Sequence, residues 1–363
     1  MFANYFFFKK GMCVFLIIIL SVFPTTCIYA QKNLLTQSQK VDSVDFYIAK
    51  SKNFSLSQAY RLDQLFKGLS YSENIKDDTL KAKAFSKLSY AFYQHEDSLQ
   101  FRQTNRVAIA LAKKVKDSIA LAEAYWDLGS FFQNNAVPDS SYYSFSISQK
   151  IYAAKGNIRN ASRMLLYMAI QQEAVKDYIG SESNLVLAVR GLVPLNEYKY
   201  LQQCYNQLGI VAKDLREYDK ALDYYNEALF YTNKSDAEST FALQIKNNIG
   251  VVYQTRKDFT KAIENFEVIV NTNYFADKKN DLYATALNNL ALSKIKLKDT
   301  TGTKVLINES IRIKDSLGLH AALATSYATL AEYNLFQRDT LTAIASANQA
   351  RLIAEESSNN ERL

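Results

Sequence analysis

Residues 201–233 read LQQCYNQLGIVAKDLREYDKALDYYNEALFYTN, and this stretch decides the fold. Tyr205, Leu208, Gly209 and Ala212 fall at i, i+3, i+4 and i+7, which is one face of an amphipathic helix. Leu215 to Asp219 turns the chain, and Ala221, Tyr225 and Ala228 then mark one face of a second helix. Gly209 and Ala221 stand where two antiparallel helices come closest, because a larger side chain there would push the backbones apart. Aromatic side chains fill the wider gaps beside them.

Outward from this stretch, the small residue recurs as Ser89, Gly129, Ala169, Gly209, Gly250, Ala291 and Ala331, at steps of 40 or 41. Each follows an apolar residue: Leu88, Leu128, Met168, Leu208, Ile249, Leu290 and Leu330. Self-similarity at such a period is the mark of a stacked solenoid of small units. The next unit carries Gly250, Tyr253, Phe259, Ala262 and Phe266, and the one before carries Ala169, Tyr178, Leu185 and Ala188. A degenerate unit opens the array, with Val41, Val44 and Ile48 facing Leu62, Leu65 and Leu69. The unit around Leu290 and Ala291 departs most, since Thr300 and Thr303 replace its aromatic and alanine, and a loosely packed pair is expected there. Pro138 is expected at the start of a second helix with Asp139 as a cap, and Pro194 in a link between units.

This pattern resembles the tetratricopeptide repeat. The resemblance implies an all-α, right-handed superhelical solenoid of antiparallel helix pairs, here seven to eight hairpins over residues 31–363. The family's unit is about 34 residues, so units of 40 or 41 lengthen each helix by ~4.5 Å at 1.5 Å per residue. Long units look like those of kinesin light chains and of peptide-sensing bacterial regulators of the Rap type. What they imply is binding of protein or peptide segments along a concave surface, not chemistry.

Residues 1–30 are expected to lie outside the array. Lys9 and Lys10, the apolar run Met12 to Phe23 and the short segment Thr25 to Ala30 read as a secretory signal peptide cleaved before Gln31. Lipidation at Cys27 is the weaker alternative, since Thr26 and Pro24 suit it poorly. The expected location is therefore periplasmic or secreted, with no membrane insertion once the signal is removed. Without Lys9 and Lys10 the 43 basic residues fall to 41 against 36 acidic, a mild and well-mixed excess that does not imply nucleic acid. Of three cysteines only Cys204 lies in the array, so no internal disulfide is expected. The two histidines, His95 and His320, have no partners at metal-ligand spacing and are read as solvated surface residues. No phosphate loop, nucleophile elbow or zinc motif occurs. No catalytic residue, metal or cofactor is assigned, and the chain is read as a non-enzyme.

In the family the first helices line the concave groove. The corresponding positions here are Trp126 and Asp127, Leu166 and Tyr167, Asn206 and Gln207, Asn247 and Asn248, and Asn288 and Asn289. Three successive units thus present amide pairs 41 residues apart, able to bond the C=O and N–H of an extended peptide. The candidate groove is Trp126, Tyr167, Asn206, Gln207, Asn247, Asn248, Asn288 and Asn289. Two alternatives stand beside it: the amides bond neighbouring repeats, and Trp126, the only tryptophan, caps a helix pair. At the C-terminal end Ile344, Leu352 and Ile353 are expected to form an apolar face, covered by a second copy of the chain or by further sequence. The reading is an exported scaffold that binds a protein or peptide. The alternative is the sensor portion of a membrane-bound histidine kinase or transcription regulator.

Overall fold

The computed structural model describes residues 35–235, 240–275 and 280–360. The signal-peptide reading of residues 1–30, Cys27 included, falls outside them. The described residues form sixteen α-helices and no strand, two helices per repeat in chain order. They are α1 (Gln37–Ser51), α2 (Gln58–Glu73), α3 (Asp78–Gln94), α4 (Ser98–Lys114), α5 (Ser118–Asn134), α6 (Pro138–Ala154), α7 (Ile158–Ala174) and α8 (Tyr178–Leu192). After them come α9 (Tyr198–Asp214), α10 (Tyr218–Ser235), α11 (Thr240–Thr255), α12 (Phe259–Val270), α13 (Asp281–Lys296), α14 (Thr303–Ser316), α15 (His320–Phe336) and α16 (Thr340–Asn360). Two compact units divide them, Met1–Val175 and Lys176–Leu363.

The long unit comes from a regular half-repeat. A left-handed residue closes one helix after another at Glu96, Lys116, Ala136, Gly156, Lys176, Asn196 and Arg216, twenty positions apart. The next residue is usually an N-cap: the carboxylates of Asp97, Asp117 and Asp177 each accept the backbone N–H three residues on. Helices of 17 residues such as α4, α5 and α6, plus three-residue turns, therefore make the 40-residue period. Turning so tightly needs positive φ, which costs an L-residue about 1–2 kcal/mol. At Ala136 (φ 54°) the turn is held by Val137 N–H donating to Phe132 O and Ala136 N–H donating to Gln133 O. Ala136→Gly is expected to stabilise the chain by about 0.5–1 kcal/mol, the strain relieved less the extra entropy of an unfolded glycine. Gly156→Ala, at φ 69°, should lose a similar amount. Thermal melts of the two variants should move in opposite directions; the same direction for both would show that the turns carry no strain.

Between the helices of a pair, the small residue meets a large one sixteen positions later. A Cβ on Gly129, Gly209 or Gly250 would lie only 2.6, 2.5 or 2.6 Å from the ring of Phe145, Tyr225 or Phe266. These rings are fully buried. The close approach also brings Ser141 and Ser148 of α6 onto the carbonyls of Gly129 and Ala122 of α5, each at 2.8 Å. The opening unit packs as the sequence suggests, with Val44, Ile48 and Leu65 in one cluster flanked by Val41, Leu62 and Leu69.

Four expectations need correction. The pair α13–α14 is not loose: Thr303 is fully buried, and Ile307 packs with Ala291 and Ile295 where other repeats place an aromatic. Asp139 is not a cap; Pro138 is the first residue of α6, Val137 holds the cap position without a side-chain bond, and Asp139 sits in the first turn. His95 is buried, because the end of α1 and the α1–α2 loop cover the end of α3, with Ser51 Oγ at 3.2 Å and the Phe54 ring at 5.7 Å. Ile353 is also buried, against Leu323 and Ala324, so only Ile344 and Leu352 of the expected end face are exposed.

Candidate functional site

In the second unit the first helices α9, α11 and α13 carry the asparagines, and the structure resolves them into rungs between repeats. Asn248 Nδ2 donates to Asn206 Oδ1 at 3.0 Å, and Asn289 Nδ2 donates to Asn247 Oδ1 at 3.2 Å. The rungs are offset by 42 residues, one more than the repeat step: the second member of each amide pair reaches back to the first member of the previous pair. Not all of the candidates face outward. Asn206, Gln207 and Asn288 are buried at 6, 8 and 5 % exposure, and Leu166 of the first unit is fully buried. A first helix turns only a narrow strip away from both neighbours, so both members of the Asn206/Gln207 pair and one of the Asn288/Asn289 pair are covered, while neither of the Asn247/Asn248 pair is. Asn247, Asn248 and Asn289 stay half-buried.

Those residues border a cleft. A cavity of about 490 Å³ opens between the start of α11 and the start of α13, lined by Phe241, Gln244, Asn247, Asn248, Asn280 and Asp281 among others. Asn248 spends an amide hydrogen on Asn206, and Asn247 spends its carbonyl on Asn289. What remains is the amino group of Asn247 and the carbonyl of Asn248, side by side at the cleft. An extended backbone needs that donor–acceptor pair. Gln244 lies one turn before them on the same helix face, a position that helical periodicity alone reaches. Asn280, the N-cap of α13, and Asp281, its first residue, enter where no repeat signal points to them.

Trp126 and Tyr167 belong to the first unit and are brought together there. Their ring centroids are 6.4 Å apart, and Tyr167 lies 5.3 Å from Phe145. The Arg163 guanidinium stacks over the Trp126 ring at 4.2 Å. Both aromatic residues are half-buried, and Trp126 packs against the cluster of Phe145 and Tyr152.

Of the other reactive side chains, His95 and Cys204 lie inside the fold. Arg61 Nη1 donates to His95 Nδ1 at 3.3 Å, which leaves Nε2 as the protonated nitrogen facing Ser51. Nucleophile activation needs the opposite polarity, and Ser51 is fully buried. Burial and the Arg61 charge both push the His95 pKa down. Cys204 is fully buried, and burial pushes its thiol up. His320 is exposed at the start of α15. Among the described residues no three metal-binding side chains converge, and no helix is long and apolar enough to cross a membrane.

The comparisons agree with this architecture. The sequence model of the tetratricopeptide repeat matches residues 202–229. The structure is similar to the apo form of the quorum sensor NprR from B. thuringiensis, at 13 % identity and a TM-score of 0.68, over 96 % of this chain and 98 % of that one. It is also similar to the apo form of RapI, at 15 % identity and a TM-score of 0.64, over 77 % of this chain and 99 % of that one. A third likeness is to a signal-transduction ATPase with a tetratricopeptide repeat sensor from Pyrococcus horikoshii, at 14 % identity and a TM-score of 0.58, over 90 % of this chain and 54 % of that one. No curated protein sequence matches the chain. The class is that of helical-repeat solenoids. Within it, the fold is tetratricopeptide-repeat-like with long units, and one unit matches the repeat's sequence model.

Proposed function

We propose that this chain is an exported, non-enzymatic scaffold that binds an extended protein or peptide segment through a groove formed by its first helices. The observation that carries the reading is the unspent donor of Asn247 beside the unspent acceptor of Asn248 at the cleft between α11 and α13. Rigid helices hold the pair in place, which limits the ordering cost of binding. The same fold in the quorum sensor NprR and in a tetratricopeptide repeat sensor supports a binding role. Export rests on the leader-like sequence of residues 1–30.

The test is selection of neutral peptides from a displayed random library, followed by titration. Affinity should be on the order of micromolar, about 8 kcal/mol, and should respond weakly to salt because the contacts are uncharged. Gln244→Ala combined with Asn247→Ala should weaken binding at least tenfold with an unchanged melting temperature, since water replaces the bond to half-buried Asn289. Asn248→Ala should instead lower the melting temperature by leaving the buried Asn206 acceptor unpaired, a cost of about 1–3 kcal/mol. Wild-type binding by the double variant would remove this reading.

A further inference from the structure

The first unit contains two neighbouring carboxylates that no side chain directly pairs. Glu123 and Asp127 lie one turn apart on α5, on the side that carries Trp126, and among the described residues neither makes an ion pair or a hydrogen bond. Asp127 is half-buried and Glu123 is exposed, so both are reachable. Behind them, Tyr152 of α6 is inserted between α5 and α7 and is 1 % exposed. Its hydroxyl is buried with no hydrogen-bond partner, and it lies within electrostatic reach of Glu123, Arg163 and Asp127. A buried hydroxyl without a partner is uncommon in a finished structure and costs about 1–3 kcal/mol. The half-buried rings of Trp126 and Tyr167 stand next to this group, and ring faces favour cations.

We propose that Glu123 and Asp127, with the Tyr152 hydroxyl at their base and the Trp126 and Tyr167 rings beside them, form a subsite for a cationic side chain, lysine or arginine, of the bound segment. The subsite rests on the binding role proposed above but not on the amide cleft, which belongs to the other unit. A ligand cation supplies what the carboxylates lack, and its N–H groups can meet both Glu123 and Asp127. An anion is disfavoured because two carboxylates and only one cation, Arg163, act on the Tyr152 hydroxyl, and that cation is already stacked on Trp126.

The groups around Asp127 are Glu123 on its own helix, Tyr93 of α3 and Tyr152 of α6, and Tyr152 is in turn within electrostatic reach of Arg163 of α7. Burial and the Glu123 charge push the Asp127 carboxyl up to about 7. Cation binding should therefore strengthen as the pH rises from 6 to 8, by up to about tenfold as the carboxyl ionises.

Trp126 is the only tryptophan, so its fluorescence in the full chain reports this place alone. The probes are acetyl-Gly-Arg-Gly-amide, its lysine analogue and its uncharged citrulline analogue. A saturable change with the first two and none with the third is expected. Asp127→Asn should weaken the response at least tenfold and flatten its pH dependence, without lowering the melting temperature. Glu123→Gln should weaken it less, because Glu123 is more exposed. An equal response to citrulline, no response to either cation, or wild-type binding by Asp127→Asn would each overturn the proposal. Neutral peptides that still bind through Asn247 in the same preparation would leave the amide reading standing.

Discussion

Gly209→Leu is expected to cost more than about 3 kcal/mol, the largest single effect of any substitution considered in this molecule. A Cβ alone would meet Tyr225 at 2.5 Å, and Tyr225 is fully buried between α9 and α10 with no space to withdraw. The methyl of Gly209→Ala should still cost about 1–2 kcal/mol, since overpacking exceeds the ~1 kcal/mol that alanine gains in a helix. The chain itself shows how to relieve the strain, because the repeat built on Ala291 uses Ile307 where Tyr225 would stand. Gly209→Ala with Tyr225→Ile should therefore recover at least half of the loss, giving a coupling energy that separate effects would not. Hydrogen exchange should quicken first in α9 to α12 and last in distant repeats, because each repeat leans only on its neighbours. Thermal stability equal to wild type in Gly209→Leu would show that the helix-pair register is wrong.

Lys314 gives the second large effect, and it depends on pH. This side chain is 1 % exposed in α14, where its Nζ donates to Ala322 O at 3.1 Å and to Ser326 Oγ at 2.9 Å. Burial lowers its pKa from 10.5 to about 8, with Asp281 opposing the shift. The folded chain releases this proton near pH 8 and the unfolded chain only near 10.5, so between those values the unfolded state holds more protons. Stability from this group consequently rises with pH across that window and is lowest below pH 8, by about 3 kcal/mol. Lys314→Met should raise the urea midpoint at pH 7, and its advantage should shrink by pH 10. Taking the difference between variants cancels the titration of the tyrosines. A constant difference at both pH values would mean that the ammonium is solvated in the native state.

Much of the fold was legible in residues 201–233 because helix pairs write themselves locally. The i, i+3, i+4 and i+7 spacing marks the buried stripe of each helix, and the small residues mark the closest approach of each pair, whereas the ring that sits directly on each glycine sixteen residues on emerges only from the structure. The site was legible only in part. Asn206, Asn247 and Asn288 share a register, so the sequence placed them alike, yet the structure buries the first and last and leaves the middle one at the cleft. Gln244 could have been found from its spacing to Asn247 and Asn248. Tyr152 could not, because its role depends on where its hydroxyl emerges between two other helices.

By itself the sequence determined the repeat length, the alternation of helices and the small residues at the closest approach of each pair, since all of these follow from spacing along one helix or across one short turn. Tertiary structure decided which amides pair across repeats, that His95 is covered by the loop after Ser51, and that Ile353 packs inward while Ile344 does not. The physical reason is the same in each case. A helix face has two flanks, and which flank a neighbour covers depends on the crossing of chains far apart in sequence, a quantity that no local period encodes.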